Sequence, residues 1–372
     1  MIANSLFGPT ETLPDRTIKI TRPDDWHVHL RDGEMLQAVL PYTAAQFARA
    51  IVMPNLSPPI VTVDAARSYR DRIIAARPAG SDFQPLMTCY LTDDTRPEDI
   101  EEGYRQGVWT ACKLYPAGAT TNSSHGVTNI PGLAPVLELV ERIDMPLLLH
   151  GEVTDPAVDV FDREAVFIDK TLVPLMALHP GLKIVLEHVT TTEGVAVVRE
   201  HAGRLAATIT PHHLILNRSS LFSGGLRPNY YCLPVAKREH HRLALRKAAT
   251  SGEACFFLGT DSAPHQRSAK EAECCSAGIF SGATALQTYA QVFDEESALD
   301  KFEAFAALNG PRFYGLPVNS GTITLHRSAS TEGPAVTVGN GEVVNFRGGE
   351  ILPWSIGETV IDDAAASFRS ET

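Results

Sequence analysis

The chain has no apolar run long enough to cross a bilayer, so no membrane-spanning helix is expected. Its start, Met1 to Ile20, lacks the basic-then-apolar pattern of a secretion signal, and the expectation is a soluble cytoplasmic protein. No basic stripe is present either: 32 Lys and Arg stand interspersed among 44 Asp and Glu, for a formal net charge of -12. That balance disfavours a nucleic-acid backbone as partner and says nothing against a small anionic substrate, because the charge at the site matters more than the sum. Cysteine is scarce, with six residues, none in a Cys-x-x-Cys pair, and several in apolar stretches. Reduced, mostly buried thiols are expected; adjacent Cys274 and Cys275 would point to opposite faces of a strand and make a poor metal pair. No Gly-x-Gly-x-x-Gly opens a helix after the first strand-like run, which removes the usual dinucleotide-binding reading. Internal repeats, low-complexity tracts and interior linkers are also missing, so residues 1–372 are expected to form a single domain.

What the chain does have is alternation. Short β-rich apolar runs occur at Trp26–Leu30, Ala50–Met53, Pro85–Leu91, Thr110–Leu114, Pro146–His150, Lys183–His188, Leu205–Thr210 and Ala254–Gly259. Between them lie stretches of helical period, such as Leu133–Ile143 with its Leu133, Val136, Leu137 and Val140 stripe, and Lys237–Ala249. Strand then helix, eight times over, predicts an α/β fold of the (β/α)8 TIM-barrel type rather than an open doubly wound sheet. The polar lead-in runs to about Arg16, the barrel core over about 17–317, and a C-terminal appendage over about 318–372. Val336–Val338 and Glu342–Phe346 in the appendage read as extra strands outside the barrel.

A barrel of this type carries its site where the strands end. The period of two sends His27 and His29 out of one face of the first strand, close enough to share a metal ion. The fourth run reaches Lys113, the fifth ends at His150, the sixth at His188, and the eighth is followed by Asp261. Each has an ordinary structural alternative: Lys113 beside a neighbouring acid, His150 at a strand end, Asp261 as a helix N-cap. Their concentration at one end of successive strands is what points to a metal site. His125 is expected to stay solvated, and His212 and His213 are read as polar rim residues.

His27-x-His29, Lys113-Leu114-Tyr115-Pro116, His150, His188 and Gly259-Thr260-Asp261-Ser262-Ala263-Pro264-His265 resemble the amidohydrolase superfamily. More narrowly, Lys113-Leu114-Tyr115-Pro116-Ala117-Gly118-Ala119-Thr120-Thr121-Asn122-Ser123 and Asn309-Gly310-Pro311-Arg312-Phe313-Tyr314-Gly315-Leu316-Pro317 resemble the type II dihydroorotases, the short bacterial form. The resemblance covers about Lys19 to Pro317. It implies two zinc ions per subunit: one held by His27, His29 and Asp261, the other by His150 and His188. N6-carboxylated Lys113 and a hydroxide would bridge them. It further implies Asp261 as the catalytic acid and base; Arg31, Asn55 and His265 as the clamp for a substrate carboxylate; and Leu233 and Ala277 as backbone contacts to the ring. His150 would lie beside the substrate as well as the metal. The stretch Tyr115–Pro131, rich in Thr, Asn, Ser and Gly, reads as a mobile lid that brings Thr120 and Thr121 to the substrate.

The implied activity is the reversible cyclisation of N-carbamoyl-L-aspartate to L-dihydroorotate in pyrimidine biosynthesis, by a homodimer. Two departures stand out: Phe280-Ser281-Gly282-Ala283 replaces the family's usual Phe-Asn-Ala-Pro, and the tail beyond Pro317 matches only loosely. Hydantoinases and allantoinases are the rival enzymes, and a non-catalytic scaffold is the rival of another class. Arg31, Asn55 and the Ala119-Thr120-Thr121 segment favour a ring that carries a carboxylate, and the full ligand set disfavours a scaffold.

Overall fold

The structure, a computed structural model, describes residues 16–361. The polar lead-in before Arg16 and the end of the appendage, 362–372, lie outside the described residues. The first strand, β1 (Thr17–Thr21), is followed by β2 (Asp25–Val28), β3 (Arg49–Val52), β4 (Gln84–Tyr90) and β5 (Ala111–Leu114). Then come β6 (Leu147–Leu149), β7 (Ile184–Leu186), β8 (Leu205–Ile209) and β9 (Phe256–Leu258). Strands β2 to β9 form one eight-stranded sheet in sequence order, parallel throughout, with helices in the crossovers. A bridge between Val28 and Ser262 brings the last strand back to the first, so the expected barrel is the observed one.

Both faces of each strand are buried, and the period of two sorts the side chains. One phase, including Val52, Cys112, Leu149, Leu186, Ala207 and Leu258, joins the layer beneath the helices. The other, Ile51, Ala111, Leu148, Val185, Ala206 and Phe257, fills the barrel together with Trp26. A register shift between Asp25 and Val28 inserts an extra residue opposite β3. That bulge puts Trp26 into the interior cluster one residue before His27 enters the site above it.

Phe313, Tyr314 and Leu316 plug the end of the barrel away from the strand tips, with Tyr314 stacked on Trp26 at 4.3 Å between ring centroids. This packing explains Gly310: a Cβ there would lie 2.0 Å from Trp26 Nε1. Gly310→Ala is therefore expected to destabilise the fold by about 2 kcal/mol through overpacking. A lowered thermal midpoint checks it, and an unchanged midpoint would mean that the plug yields freely.

The appendage contributes β10 (Thr322–His326), β11 (Ala335–Val338), β12 (Gly341–Val344) and β13 (Ser355–Val360). Residues 17–21 pair with β10, which pairs with β13 in a separate antiparallel sheet, so both termini add strands outside the barrel, as expected. The β11–β12 hairpin presses Val336, Val338 and Val343 against Val39 and Phe280. The altered Phe280–Ala283 segment thus packs on the appendage, and Phe346 N–H donates to the Phe280 carbonyl at 2.8 Å.

Candidate metal centre and active site

The interior phase of the strands continues upward into the site. Two residues beyond Ala111, Leu148 and Val185 stand Lys113, His150 and Glu187, all buried. His188 and Asp261 add to them from left-handed backbone, with φ of 44° and 43°, as does Arg31 at 58°. Non-glycine residues pay about 1–3 kcal/mol for sparsely populated conformations, and their gathering at one cavity marks it as functional. Asp25 fixes the seam: its carboxylate accepts from Thr260 N–H at 2.8 Å and Thr260 Oγ1 at 2.6 Å, while Asp261 N–H donates to the His27 carbonyl. Burial pushes the Asp25 carboxyl up to about 6, against the lowering effect of those hydrogen bonds.

The histidine ring nitrogens are set by what lies behind them. His27 Nδ1 is 3.0 Å from Glu187 Oε1 and His29 Nδ1 is 2.8 Å from Asn55 Oδ1. Asn55 Oδ1 only accepts, so the His29 ring carries its proton at Nδ1 and turns its Nε2 lone pair to the cavity, whereas the close His27 Nδ1–Glu187 contact lacks hydrogen-bond geometry. His150 Nε2 lies 2.9 Å from Glu152 Oε2, which reserves its Nδ1 in the same way. The two presented atoms, His27 Nε2 and His29 Nε2, are 3.3 Å apart, and Asp261 Oδ1 is 3.3 and 3.2 Å from them. Ligands at zinc–nitrogen distance in a tetrahedron lie roughly 3.3 Å from one another, so the trio fits a zinc-sized ion. His27, His188 and Asp261 also offer donor atoms within 4.8 Å of one another, and the His188 ring sits 4.8 Å from that of His150. His188 Nδ1 is buried without a partner. The donor set fits a metal centre.

The clustered charges shift the protonation of each group. Burial alone would lower His27, but the Glu187 and Asp261 carboxylates outweigh it and raise the ring to about 9. His29 falls to about 4, chiefly by burial. Asp261 is held well below the usual carboxylate range: burial opposes this, and the charge of His27 beside it prevails. Lys113 Nζ contacts the Glu187 carboxylate and lies 4.4 Å from the Tyr115 ring centre. Its amine is pushed down mainly by burial, with Glu187 pulling the other way.

His27, His29, His150, His188 and Asp261 line one small cavity with Arg31, Asn55, Thr120, Thr121, Leu233 and Ala277. Arg31 Nε donates to the Pro264 carbonyl at 3.2 Å, Nη2 lies 3.0 Å from His265 Nε2, and Nη1 is buried with no partner. Asn55 is already engaged, since Nδ2 donates to the Thr121 carbonyl at 3.0 Å. Thr121 Oγ1 donates to the Ala277 carbonyl at 3.2 Å, so the 115–131 stretch lies down over the cavity. Tyr115, Ala119, Ser123 and Val127 of that stretch are buried.

His212 and His213 follow β8 at the barrel rim, are buried there, and with Cys232 form a second group of potential donor atoms. His213 uses both nitrogens, with Thr210 Oγ1 at 2.7 Å and the Pro234 carbonyl at 2.9 Å, so it is a satisfied interior histidine. His125 is exposed, as expected. All six cysteines are free, four of them buried. Sequence reasoning passed over Glu187 and Glu152, although a lone acid within or just after an apolar run was a visible signal.

A parallel barrel with converging histidines and a carboxylate at its strand tips has the donor set of a TIM-barrel metalloenzyme. The amidohydrolase family profile matches residues 23–330. A dihydroorotase of Synechococcus sp. strain CC9902 is 60% identical over 339 residues, covering 91% of this chain and 98% of that protein. Among solved structures, the dihydroorotase of Campylobacter jejuni superimposes with a TM-score of 0.85 at 33% identity, covering 94% of this chain and 99% of that one. The dihydroorotase of Saccharomyces cerevisiae in complex with 5-fluoroorotic acid gives 0.86 at 32% identity, covering 93% and 99%. The chain belongs to the amidohydrolase family, within its dihydroorotases.

Proposed function

We propose that this single-domain chain catalyses the reversible, zinc-dependent closure of N-carbamoyl-L-aspartate to L-dihydroorotate and water, a step of pyrimidine biosynthesis. The observation that carries the reading is the unpartnered Arg31 Nη1 in the same cavity as the His27, His29 and Asp261 donors. A planar guanidinium with an unpartnered nitrogen suits a carboxylate that binds without reacting, which a simple hydantoin does not offer. His265 beside Arg31 supports the clamp. Burial and the Arg31 charge hold His265 down to about 3, so it stays neutral near Arg31.

In this reading His27, His29 and Asp261 would hold one zinc and His150 and His188 the other, with carboxylated Lys113 as a further anionic ligand. Two bound cations would polarise the amide carbonyl and make water nucleophilic near neutral pH. Burial favours the uncharged amine of Lys113, the form that adds carbon dioxide to become a carbamate. Asp261, held ionised, takes the proton of the attacking water and passes it to the leaving amide nitrogen; in the biosynthetic direction it removes the carbamoyl proton. Arg31, Asn55 and His265 orient the ring carboxylate, Leu233 and Ala277 meet the ring through their backbones, and Thr120 and Thr121 close over it as a mobile lid. A cytoplasmic homodimer completes the proposal; among the described residues no helix is long and apolar enough to cross a membrane.

Arg31→Met tests the clamp. KM for dihydroorotate should rise about 100-fold, the loss expected for a charge-assisted pair in a shielded site, with kcat less affected. An unchanged KM would remove Arg31 from substrate binding.

A further inference from the structure

Lys270 ends the short helix Arg267–Lys270 and is buried although it bears an ammonium group. Its Nζ donates to three backbone carbonyls: Tyr231 at 2.7 Å, Ser276 at 2.7 Å and Gly278 at 2.8 Å. An ammonium has three protons, so every one is used on main chain. Burial lowers its pKa to about 8, a cost that the three carbonyls offset. The carbonyls come from two loops that are far apart in sequence. One precedes Leu233 and the other flanks Ala277, and both of those residues line the active-site cavity. Gly278 N–H adds a direct tie to the Tyr231 carbonyl at 3.1 Å. The second loop also supplies the Ala277 carbonyl on which His265 and Thr121 converge, at 2.9 and 3.2 Å.

We infer that Lys270 is a positioning residue for the substrate. By gathering the Tyr231, Ser276 and Gly278 carbonyls it sets the separation between the Leu233 and Ala277 backbones and the place where the lid threonine lands. The inference rests on the proposed contact of Leu233 and Ala277 with the substrate ring. Lys270 itself stays behind the loops and does not line the cavity.

The test uses Lys270→Met in the full chain, metal-loaded, with two readouts. KM for dihydroorotate should rise about tenfold while kcat stays within about twofold, because ring binding loosens but the catalytic groups do not move. The second readout is the rate at which Cys275, half-buried in the tied loop, reacts with a thiol reagent in a Cys274→Ser background; it should rise about fivefold as the loop opens more often. An unchanged KM, or a fall in kcat alone, would overturn the positioning role. If Lys270→Met does not fold, Lys270→Gln is measured in its place, with KM expected to rise about threefold because some donors remain; there too an unchanged KM overturns the inference. Absence of turnover in the unsubstituted enzyme would strike the proposed reaction instead, and the thiol rate would still decide whether Lys270 ties the loop.

Discussion

Asp261→Asn is expected to abolish turnover, lowering kcat by about 10³-fold or more in both directions, while the protein stays folded. The substitution keeps the shape of the side chain and removes its charge and basicity. Asp261 lies 3.3 Å from His27 Nε2 and 3.2 Å from His29 Nε2, in a cavity where its carboxyl is held well below the usual range. An amide there can still face the metal trio with its oxygen, but it can neither take a proton from water nor return one to the ring nitrogen. Steady-state rates with dihydroorotate, alongside metal content and a thermal melt, separate loss of the base from loss of the site. Activity within about tenfold of the unsubstituted enzyme, with metal retained, would assign proton transfer to another group.

Lys113→Ala should have an effect of similar size for a different reason. Lys113 is fully buried on β5, in phase with Ala111, and faces Glu187 and the Tyr115 ring. As a plain ammonium it would repel cations at this site; as a carbamate it supplies an anion to both. On the proposed two-zinc reading, its removal is expected to cost about three orders of magnitude in turnover and to lower bound zinc from about two to one or fewer per chain, because a shared ligand would govern affinity as well as chemistry. Full metal content in the variant would show that Lys113 is not a ligand, and Glu187 would then be the candidate anion between the sites.

The fold was legible because burial on both faces makes parallel strands continuous apolar runs, and each run fell within a residue or two of its observed strand. β1 carries no mark of its partner in its own alternating residues, and its pairing with β10 is fixed some 300 residues away. At the site, the ligands were visible as histidines, a lysine and an aspartate at strand ends. Their second layer was not. Glu187 holds the inward phase of β7, and His188, one residue later, reaches the cavity only because its φ is 44°. A period of two cannot reveal such a turn, nor the bulge that brings Trp26 and His27 inward together. Lys270 was equally silent, since three carbonyl acceptors leave no trace in residue types.

The central claim is that a metal centre at the strand tips opens and closes a carboxylate-bearing cyclic amide. The measurement that tests it most directly is turnover of dihydroorotate and of N-carbamoyl-L-aspartate, before and after chelation, with zinc and bicarbonate then restored. Turnover in both directions, lost with the metal and regained with the additions, is the predicted result. A fully metal-loaded enzyme that leaves both compounds untouched would contradict the account and turn attention to hydantoins and allantoin.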